Sequence, residues 1–347
     1  MSGSTSTWDD QPPHLRQRRR QRPDAPTNGY YQDPYPRTPR RGGRRTDQPT
    51  RRVTPKQQLA VVAATLGSIA VWYLTPVSAW ITDIIMLQIP IEADKELGLK
   101  AKQEFPYPTV YDSHWTPVLR QTGRDLVKTN RKFALRNPDN PTMDLYQWDF
   151  GVVRADFVNA FALPGGIVRV TDTLLRQLQP TVGELAALLA HEMGHVVCRH
   201  SQARMIQQQL LQYLLQGLLY VDHDDVQETF GEAVGELLTK SAAWLGEQQF
   251  SRRDEYQADG VSWDLLADSS NNYNPDSLIS ILSKLSDMEQ QHQEHASTDN
   301  SATAIGLSTI TAWSRTHPAT EDRLAALEAK WEALSSSERR VFSDNPI

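Results

Sequence analysis

The residue types and spacing best suited to chemistry lie in the run His191-Glu192-Met193-Gly194-His195. Two histidines four positions apart lie one turn apart on the same face of a helix, so both imidazoles can reach one metal ion. Glu192 follows the first histidine, where its carboxylate can face a water molecule at the metal without binding the metal itself. Zinc lowers the pKa of a bound water from about 15.7 to about 7, and a glutamate can take the remaining proton. The pattern predicts a zinc site with His191 and His195 as ligands and Glu192 as general base.

A site of this kind needs a third protein ligand, and carboxylates suited to that role lie downstream. Glu255 and Asp259 are four positions apart, so on a helix they share one face. One carboxylate could complete a two-histidine, one-glutamate zinc site and leave the fourth position to water. The other could accept the free ring N–H of a ligand histidine. On spacing alone, a structural salt bridge is the plainer interpretation of this acidic pair.

The histidine motif must lie on a helix, and its surroundings fit one. The run Glu184–His200 is largely apolar, and Thr181 three residues before Glu184 is typical of a helix N-cap. Leucines keep helical spacing from Leu210 to Leu218, which predicts that the motif helix continues towards Tyr220. This leucine stripe is expected to be a packing face.

Other elements must surround this helix. Val, Phe and Ile recur over Asp149–Asn159 and Gly166–Val170, which predicts strands, with Leu163–Gly166 as the turn between them. Further helices are predicted at Glu92–Glu104, Trp115–Asn130, 225–268, 275–291 and Thr320–Ser335, with a polar loop over Gln290–Asn300. The expected fold is mainly α with a small β-sheet (α+β).

Charge is distributed unevenly along the 347 residues. Residues 1–56 hold thirteen Lys and Arg against five Asp, a net of +8, whereas the whole chain carries −6. The remainder, 57–347, therefore carries about −14, which argues against a nucleic-acid-binding body and leaves the tail as the only candidate for that partner. With almost no aliphatic residues, the tail cannot bury enough apolar surface to fold, so we predict that it is disordered.

The single cysteine, Cys198, excludes an intrachain disulfide and leaves the redox compartment open. It lies in the turn after His195, one of the predicted ligands. We expect a small buried apolar residue there rather than a zinc thiolate.

A long uncharged stretch separates the tail from the rest of the chain. No charge occurs between Lys56 and Asp83, which is long enough for one membrane span of about 20 residues. Flanking Arg51 and Arg52, with aromatic residues near the far end, favour a transmembrane helix at 57–82 over a buried helix of a soluble domain. A late-cleaved signal segment is the lesser alternative.

The predicted organisation has three parts. They are a basic tail at 1–56, a single-pass transmembrane helix at 57–82 and a soluble domain at 91–335. Because positive residues preferentially stay cytoplasmic, the tail is expected in the cytoplasm and the domain on the other side, in a periplasm or lumen.

Four segments occur in order along the chain: Asn159-Ala-Phe-Ala-Leu-Pro-Gly-Gly166, His191-Glu-Met-Gly-His195, Glu255-Tyr-Gln-Ala-Asp259, and Thr316-His-Pro318 with Arg323. Together they resemble the membrane-associated zinc metallopeptidases of the HtpX, BepA and CAAX prenyl protease type. The resemblance covers roughly residues 91–330 and implies a zincin-like gluzincin fold with one Zn²⁺ per chain, bound by His191, His195 and Glu255. It also implies that Glu192 is the base and that Asp259 supports the site.

The resemblance gives further residues expected roles. Asn159 and Ala160 would lie on an edge strand and hydrogen-bond the substrate backbone, although Asn159 also suits a turn. The Thr-His-Pro region would lie at the cleft, so His317 or Arg323 is a candidate catalytic donor to the oxyanion. Some family members are inactivated by a histidine that plugs the zinc; the candidates here are His292, His295 and His317.

The expected function is a membrane-anchored zinc endopeptidase that cleaves proteins or peptides. One predicted span, against several in the CAAX proteases, favours a role in protein quality control over prenyl-protein processing. The alternative is a zinc-binding chaperone or adaptor with a plugged, inactive site. In a third hypothesis, the arginine-rich tail is an RNA-binding or partner-docking module tethered to the membrane.

Overall fold

The computed structural model describes residues 75–128, 143–219, 249–268, 273–298, 312–317 and 320–343, with scattered positions between 56 and 72. All of them belong to the unit Val53–Ile347. The tail up to residue 55, ten of the 26 residues of the predicted span and the predicted helical region at 225–248 lie outside the described residues. Within the described part of the chain, no helix combines the length and apolar character needed to cross a bilayer.

Helices make up most of the described chain, and a small sheet accompanies them, so the prediction of a mainly helical α+β fold is confirmed. The strands are β1 (Thr109–Val110), β2 (Asp149–Val153), β3 (Ala160–Leu163) and β4 (Ile167–Thr171). The helices are α1 (Val77–Met86), α2 (Ile91–Gln103), α3 (Trp115–Val127), α4 (Asp172–Leu178), α5 (Val182–Val197), α6 (His200–Leu219), α7 (Arg252–Leu266), α8 (Asp276–Thr298), α9 (Thr320–Glu332) and α10 (Ser336–Ser343).

The sheet has the strand order β1-β2-β4-β3, with β2 parallel to β4 and β3 antiparallel to β4 at one edge. The single strand predicted over Asp149–Asn159 is wrong in extent, because the chain leaves the sheet after Val153. There the carboxylate of Asp172 accepts the N–H of Ala155 at 3.1 Å, and Thr173 donates to the Ala155 carbonyl at 2.6 Å. These two contacts hold the connection out of the sheet, and β3 forms separately.

The sequence predicts a turn at Leu163–Gly166, between strands at Asp149–Asn159 and Gly166–Val170. The structure has a 3₁₀ turn at Pro164–Gly166, and Leu163 is the last residue of β3, which was not predicted. Gly165 and Gly166 have φ angles of 74° and 105°, in the left-handed region that favours glycine. The turn packs against α2, where the backbone of Lys95 lies too close to Gly165 for any side chain.

Helix α5 carries the histidine motif, and its predicted N-cap is confirmed. Thr181 and Glu184 form a capping box, in which the Glu184 carboxylate accepts the Thr181 N–H at 2.8 Å and the Thr181 hydroxyl accepts the Glu184 N–H at 3.2 Å. Ser280 and Lys284 on α8 donate to the same carboxylate at 2.6 and 2.7 Å. From Glu184 to its end α5 is buried, so it is the central helix of the domain.

The prediction that the motif helix continues unbroken towards Tyr220 is wrong. Helix α5 ends at Val197, and Arg199 has a left-handed φ of 55° before α6 begins. The buried guanidinium of Arg199 makes two 2.7 Å hydrogen bonds to Asp94 on α2 and donates to the carbonyls of Met86 and Ile89. These contacts stabilise a backbone conformation that is rare for a residue with a side chain. As predicted, the neighbouring Cys198 is buried.

Two boundaries near the C-terminus also differ from prediction. Helix α8 extends to Thr298, so the part of the predicted polar loop from Gln290 to that residue is helical. The run contains no Gly or Pro and is rich in Glu and Gln, which favour helix. The last predicted helix ends at Glu332, and α10 follows after Ser335, whose hydroxyl accepts the Glu338 N–H at 3.2 Å.

Candidate metal centre

The two motif histidines lie on one face of α5, as their spacing predicts. Their Nε2 atoms are 3.2 Å apart, and both side chains are buried. The ring of Phe250 stacks on His195 with centroids 3.9 Å apart. Because Phe250 also donates its N–H to the carbonyl of Thr316 at 3.0 Å, it is fixed in place and limits rotation of the imidazole.

Helix α7 delivers the third candidate ligand, Glu255. A capping box between Ser251 and Asp254 begins this helix and sets the position of Glu255 in its first turn. Helix α7 crosses α5 at Gly194, where an added Cβ would lie 2.8 Å from the carbonyl oxygen of Ala258. The glycine in the motif therefore permits the close helix contact that brings Glu255 to the histidines.

The separations of the donor atoms fit a tetrahedral zinc ion. Oε2 of Glu255 lies 3.5 Å from Nε2 of His191, and Oε1 lies 3.5 Å from Nε2 of His195. Ligand atoms about 2.0–2.1 Å from a tetrahedral zinc are roughly 3.3–3.4 Å from one another. Adding a ring nitrogen of His317 gives four buried residues with ligand atoms all within 4.8 Å of one another. The donor set is therefore consistent with zinc.

Glu192 is buried beside these donors. Neither of its carboxylate oxygens has a hydrogen-bond partner among the described residues, and Nε2 of His317 is 3.5 Å from Oε1. Burial, and secondarily the charge of Glu255, raises the pKa of Glu192 to about 7. An unpartnered buried carboxylate is costly unless a cation or a proton donor meets it, which fits a residue that handles protons next to a metal.

Asp259 and Arg323 lie behind the ligands. Oδ1 of Asp259 is 3.0 Å from Nδ1 of His191, the expected place for a group that orients a ligand histidine. Arg323 donates to both Asp259 oxygens at 2.7 Å, and its third nitrogen lies 2.5 Å from Oε2 of Glu255. Burial alone would raise the pKa of Asp259, but Arg323 and His191 hold it well below its usual range.

These contacts bear on the predicted catalytic role of Arg323. All three guanidinium nitrogens face the carboxylates of Glu255 and Asp259, so the geometry favours a positioning residue over a donor to the oxyanion. The contacts of Arg323 also distinguish the two carboxylates. Asp259, which forms the bidentate pair with Arg323, supports His191, whereas Glu255 lies near both histidines.

The short helical segment 312–317 brings His317 to the site. Trp313 stacks on its ring with centroids 4.0 Å apart, and the Thr316 hydroxyl lies 2.8 Å from its Nδ1. Burial lowers the pKa of His317, which favours a neutral imidazole. The side chains of the other two candidates for a plug, His292 and His295, lie outside the described residues.

The predicted substrate-binding residues lie at the edge strand β3. The side-chain carbonyl of Asn159 accepts the N–H of Ala160 at 3.0 Å and lies 3.3 Å from the hydroxyl of Thr316, which joins the strand to the segment carrying His317. Ser201 donates to the carbonyl of Ala162 at 3.0 Å. A cavity of about 240 Å³ adjoins this edge, lined by Tyr107, Phe157, Asn159, Phe161, Ala312, Arg315 and Thr316.

Two residues at the centre were missed from sequence. His200 was part of the run around the motif, and its Nδ1 lies 2.8 Å from Nδ1 of His195. The available signal was a third histidine five positions after the predicted ligand His195. In the unbroken helix that was predicted, however, His200 would lie on a different face from His195. Phe250 carried no signal, since stacking on His195 depends on the packing of distant segments.

Comparison with known proteins agrees with this geometry. Residues 124–331, more than half of the chain, match Peptidase family M48. The chain belongs to peptidase family M48. The predicted resemblance to zinc metallopeptidases of the HtpX and BepA type is therefore confirmed at the level of the family.

Several M48 relatives are named as proteases. The chain is 32% identical over 161 residues to the metalloprotease LoiP of Escherichia coli (strain K12), a match covering 45% of this chain and 58% of that protein. It is 29% identical over 187 residues to the beta-barrel assembly-enhancing protease of Yersinia pestis, covering 53% and 35%. It is 32% identical over 160 residues to the mitochondrial metalloendopeptidase OMA1 of Arabidopsis thaliana, covering 46% and 30%. The chain thus spans about a third to somewhat over half of these relatives.

Proposed function

We propose that the protein is a zinc-dependent endopeptidase whose metal is bound by His191, His195 and Glu255. The observation that carries this proposal is the set of three buried donor groups at separations of 3.2 and 3.5 Å, with the unpartnered carboxylate of Glu192 beside them. Membership of family M48 and the names of its relatives support the same activity.

The chain's own residues supply the acid–base chemistry. Zinc bound at this site would provide a Lewis acid that polarises the scissile carbonyl and increases the acidity of water. Glu192 then takes a proton from the attacking water and returns it to the leaving amine. His317, whose Nε2 is 3.5 Å from Glu192, is the side chain best placed to donate a hydrogen bond to the developing oxyanion.

Peptide substrates would bind along the edge strand β3. An edge strand can pair with an extended peptide, and main-chain hydrogen bonds then hold the scissile bond in place. Here the carbonyl of Ala162 already accepts a hydrogen bond from Ser201. Asn159 caps the N–H of Ala160, so a substrate carbonyl must displace its side chain to reach that donor. The adjoining cavity, with aromatic residues Tyr107, Phe157 and Phe161, suits an apolar side chain of the substrate.

A role in protein quality control is part of this proposal. One relative is named a beta-barrel assembly-enhancing protease, and a protease that acts on poorly assembled proteins would meet extended segments of many sequences. Recognition through the peptide backbone, as expected at an edge strand, suits such varied substrates.

We also propose a membrane anchor at 57–82 that places the catalytic domain on the non-cytoplasmic side. Besides the uncharged sequence, two large apolar side chains on α1 support this proposal: Trp80, within the anchor, is 65% exposed, and Ile84, just after it, is 45% exposed. The flanking basic tail sets the orientation.

Cysteine labelling tests this topology, because Cys198 is the only native cysteine and is buried. We expect Ser337→Cys on α10 to react with a membrane-impermeant maleimide in intact cells, and Ser4→Cys to react only after permeabilisation. Labelling of the tail in intact cells would contradict the orientation. Recovery of the chain in the soluble fraction would contradict the anchor.

A zinc-binding chaperone or adaptor is the second candidate, and the presence of His317 in the donor set favours it. If His317 blocks the fourth zinc position, His317→Asn should increase cleavage. If it donates to the oxyanion, the same change should reduce kcat by about 100–1,000-fold. The chaperone function gains support only if both proteins carry one zinc and neither cleaves.

The direct test of the peptidase activity is Glu192→Gln. The amide keeps the size of the side chain but cannot take a proton, so we expect one zinc per chain to be retained and casein cleavage to be abolished. The matched control is Glu289→Gln on α8, a helix that carries none of the candidate donors. Cleavage by Glu192→Gln at the wild-type rate would eliminate the proposed mechanism.

A further inference from the structure

The two ligand histidines have different partners behind them. Nδ1 of His191 faces the carboxylate of Asp259, whereas Nδ1 of His195 faces Nδ1 of a second imidazole, His200, at 2.8 Å. His200 is fully buried at the beginning of α6. Of two imidazole nitrogens at this distance, one must carry the hydrogen and the other must accept it, so the contact is favourable in only one arrangement of protons.

The far side of His200 decides which arrangement occurs. Its Nε2 lies 3.0 Å from the side-chain carbonyl oxygen of Gln257, and a carboxylate oxygen of Asp254 lies 3.7 Å away. With the Gln257 amide in this orientation, both oxygens are acceptors and favour a hydrogen on Nε2 of His200. A metal bound at Nε2 of His195 would leave the hydrogen of that ring on Nδ1, and Nδ1 of His200 would then be the acceptor in the 2.8 Å contact.

The same reasoning extends to the metal. A histidine with its hydrogen on Nδ1 presents a bare lone pair at Nε2, and Nε2 of His195 lies among the candidate metal donors, 3.2 Å from Nε2 of His191. We infer that His200 and Gln257 are positioning residues that fix His195 in the tautomer required for metal binding. This inference rests on the proposed metal site but not on peptidase activity.

The arrangement also links ligands and support on the same helix. Gln257 lies on α7 between Glu255 and Asp259, so about one turn of one helix carries a metal ligand and residues that support both histidines. Phe250 stacks on His195 and restricts its ring plane, but stacking cannot select a tautomer. The contact with His200 can do so, because it places an acceptor at Nδ1 of His195.

Two pairs of substitutions separate this role from simple packing. His200→Asn places an amide oxygen near the position of Nδ1 and so keeps an acceptor for His195. His200→Phe keeps an aromatic ring but removes the acceptor. Gln257→Glu keeps an acceptor for His200, whereas Gln257→Met keeps only the length. His114→Asn, at an exposed histidine outside the centre, controls for loss of a histidine as such.

Zinc affinity of the full chain, measured by competition with a chromogenic chelator, is the first readout. We expect His200→Phe and Gln257→Met to weaken zinc binding by about 10–100-fold, as is typical when the partner of a ligand histidine is removed. His200→Asn and Gln257→Glu should retain most of the affinity. Equal weakening by His200→Asn and His200→Phe would mean that the ring serves only for packing.

The tautomers themselves are the second readout, from ¹⁵N–¹H correlation spectra of metal-free protein labelled at histidine. We expect His195 to carry its hydrogen on Nδ1 and His200 on Nε2, and we expect the His195 signal to change in His200→Phe. A hydrogen on Nε2 of His195 in the wild type would overturn the inference. If the wild type bound no zinc, the proposed function would fail, while these spectra would still decide the tautomer.

Discussion

At the scale of single residues, the side chains that would bind the metal differ from those that hold the ligands in position. His191, His195 and Glu255 present donor atoms to one point, and Asp259, Arg323 and His200 hold them from behind. Hydrogen bonds from the second layer fix the orientation of metal ligands and increase their basicity. The interpretation of Arg323 as a positioning residue follows from its contacts and can be tested against the oxyanion role.

Arg323→Lys is expected to weaken zinc binding by about 10–100-fold, because one ammonium cannot replace the fork that pairs with Asp259 and reaches Glu255. Activity should recover when zinc is in excess. A donor to the oxyanion would behave oppositely, with unchanged zinc affinity and a kcat lower by about 100–1,000-fold. Arg252→Lys, in an exposed ion pair on α7, is the matched control and should change neither quantity.

Sequence spacing alone identified the two histidines and the adjacent base, because residues four positions apart lie on the same face of a helix. It left Glu255 and Asp259 as equivalent candidates. Their roles differ through Arg323, which is 64 positions from Asp259 in the chain, a separation that no local pattern encodes. His200 was missed for a related reason, since its contact with His195 requires the break between α5 and α6.

At the scale of elements, the crossing of α5 and α7 creates the site. Gly194 lies at the point of contact, where an added Cβ would meet the backbone of Ala258 at 2.8–2.9 Å. Backbone atoms cannot rotate away as a flexible side chain can, so the two helices would have to separate. Glu255 would then move away from the histidines together with its helix.

Gly194→Ala is therefore expected to lower the free energy of unfolding by about 1–3 kcal/mol, as is usual for overpacking. Zinc affinity should fall as well. The control is Gly260→Ala in α7, where a Cβ meets nothing within 4 Å and the helix should gain about 0.5–1 kcal/mol. Chemical denaturation and chelator competition measure both effects. Equal stability of the two variants would contradict the proposed importance of this helix contact.

Elements with strong local signals were predictable and those set by distant contacts were not. The capping box of α5 and the helix α2 follow from residues close together in the sequence. Strands β1 and β3 contain only two and four residues, too few for a periodic pattern. The end of α5 depends on the pairing of Arg199 with Asp94, 105 positions earlier.

At the scale of the whole molecule, this buried pair joins the N-terminal helices to the metal-binding helix. Asp94 lies on α2 and Arg199 lies two residues after the end of α5. Asp83 on α1 pairs with Arg253 on α7 at 3.2 Å. Helices α1 and α2 thus contact both helices that carry the metal donors. Since α1 overlaps the proposed anchor, these contacts would connect the anchor to the metal centre.

The most direct test of the central claim is the zinc content and X-ray absorption spectrum of the purified full chain. We predict one zinc per chain, surrounded by nitrogen and oxygen atoms at about 2.0–2.2 Å with imidazole scattering. The zinc should be retained in Glu192→Gln and lost in Glu255→Gln. A zinc–sulfur distance near 2.3 Å, or full zinc content in Glu255→Gln, would contradict a centre built from His191, His195 and Glu255.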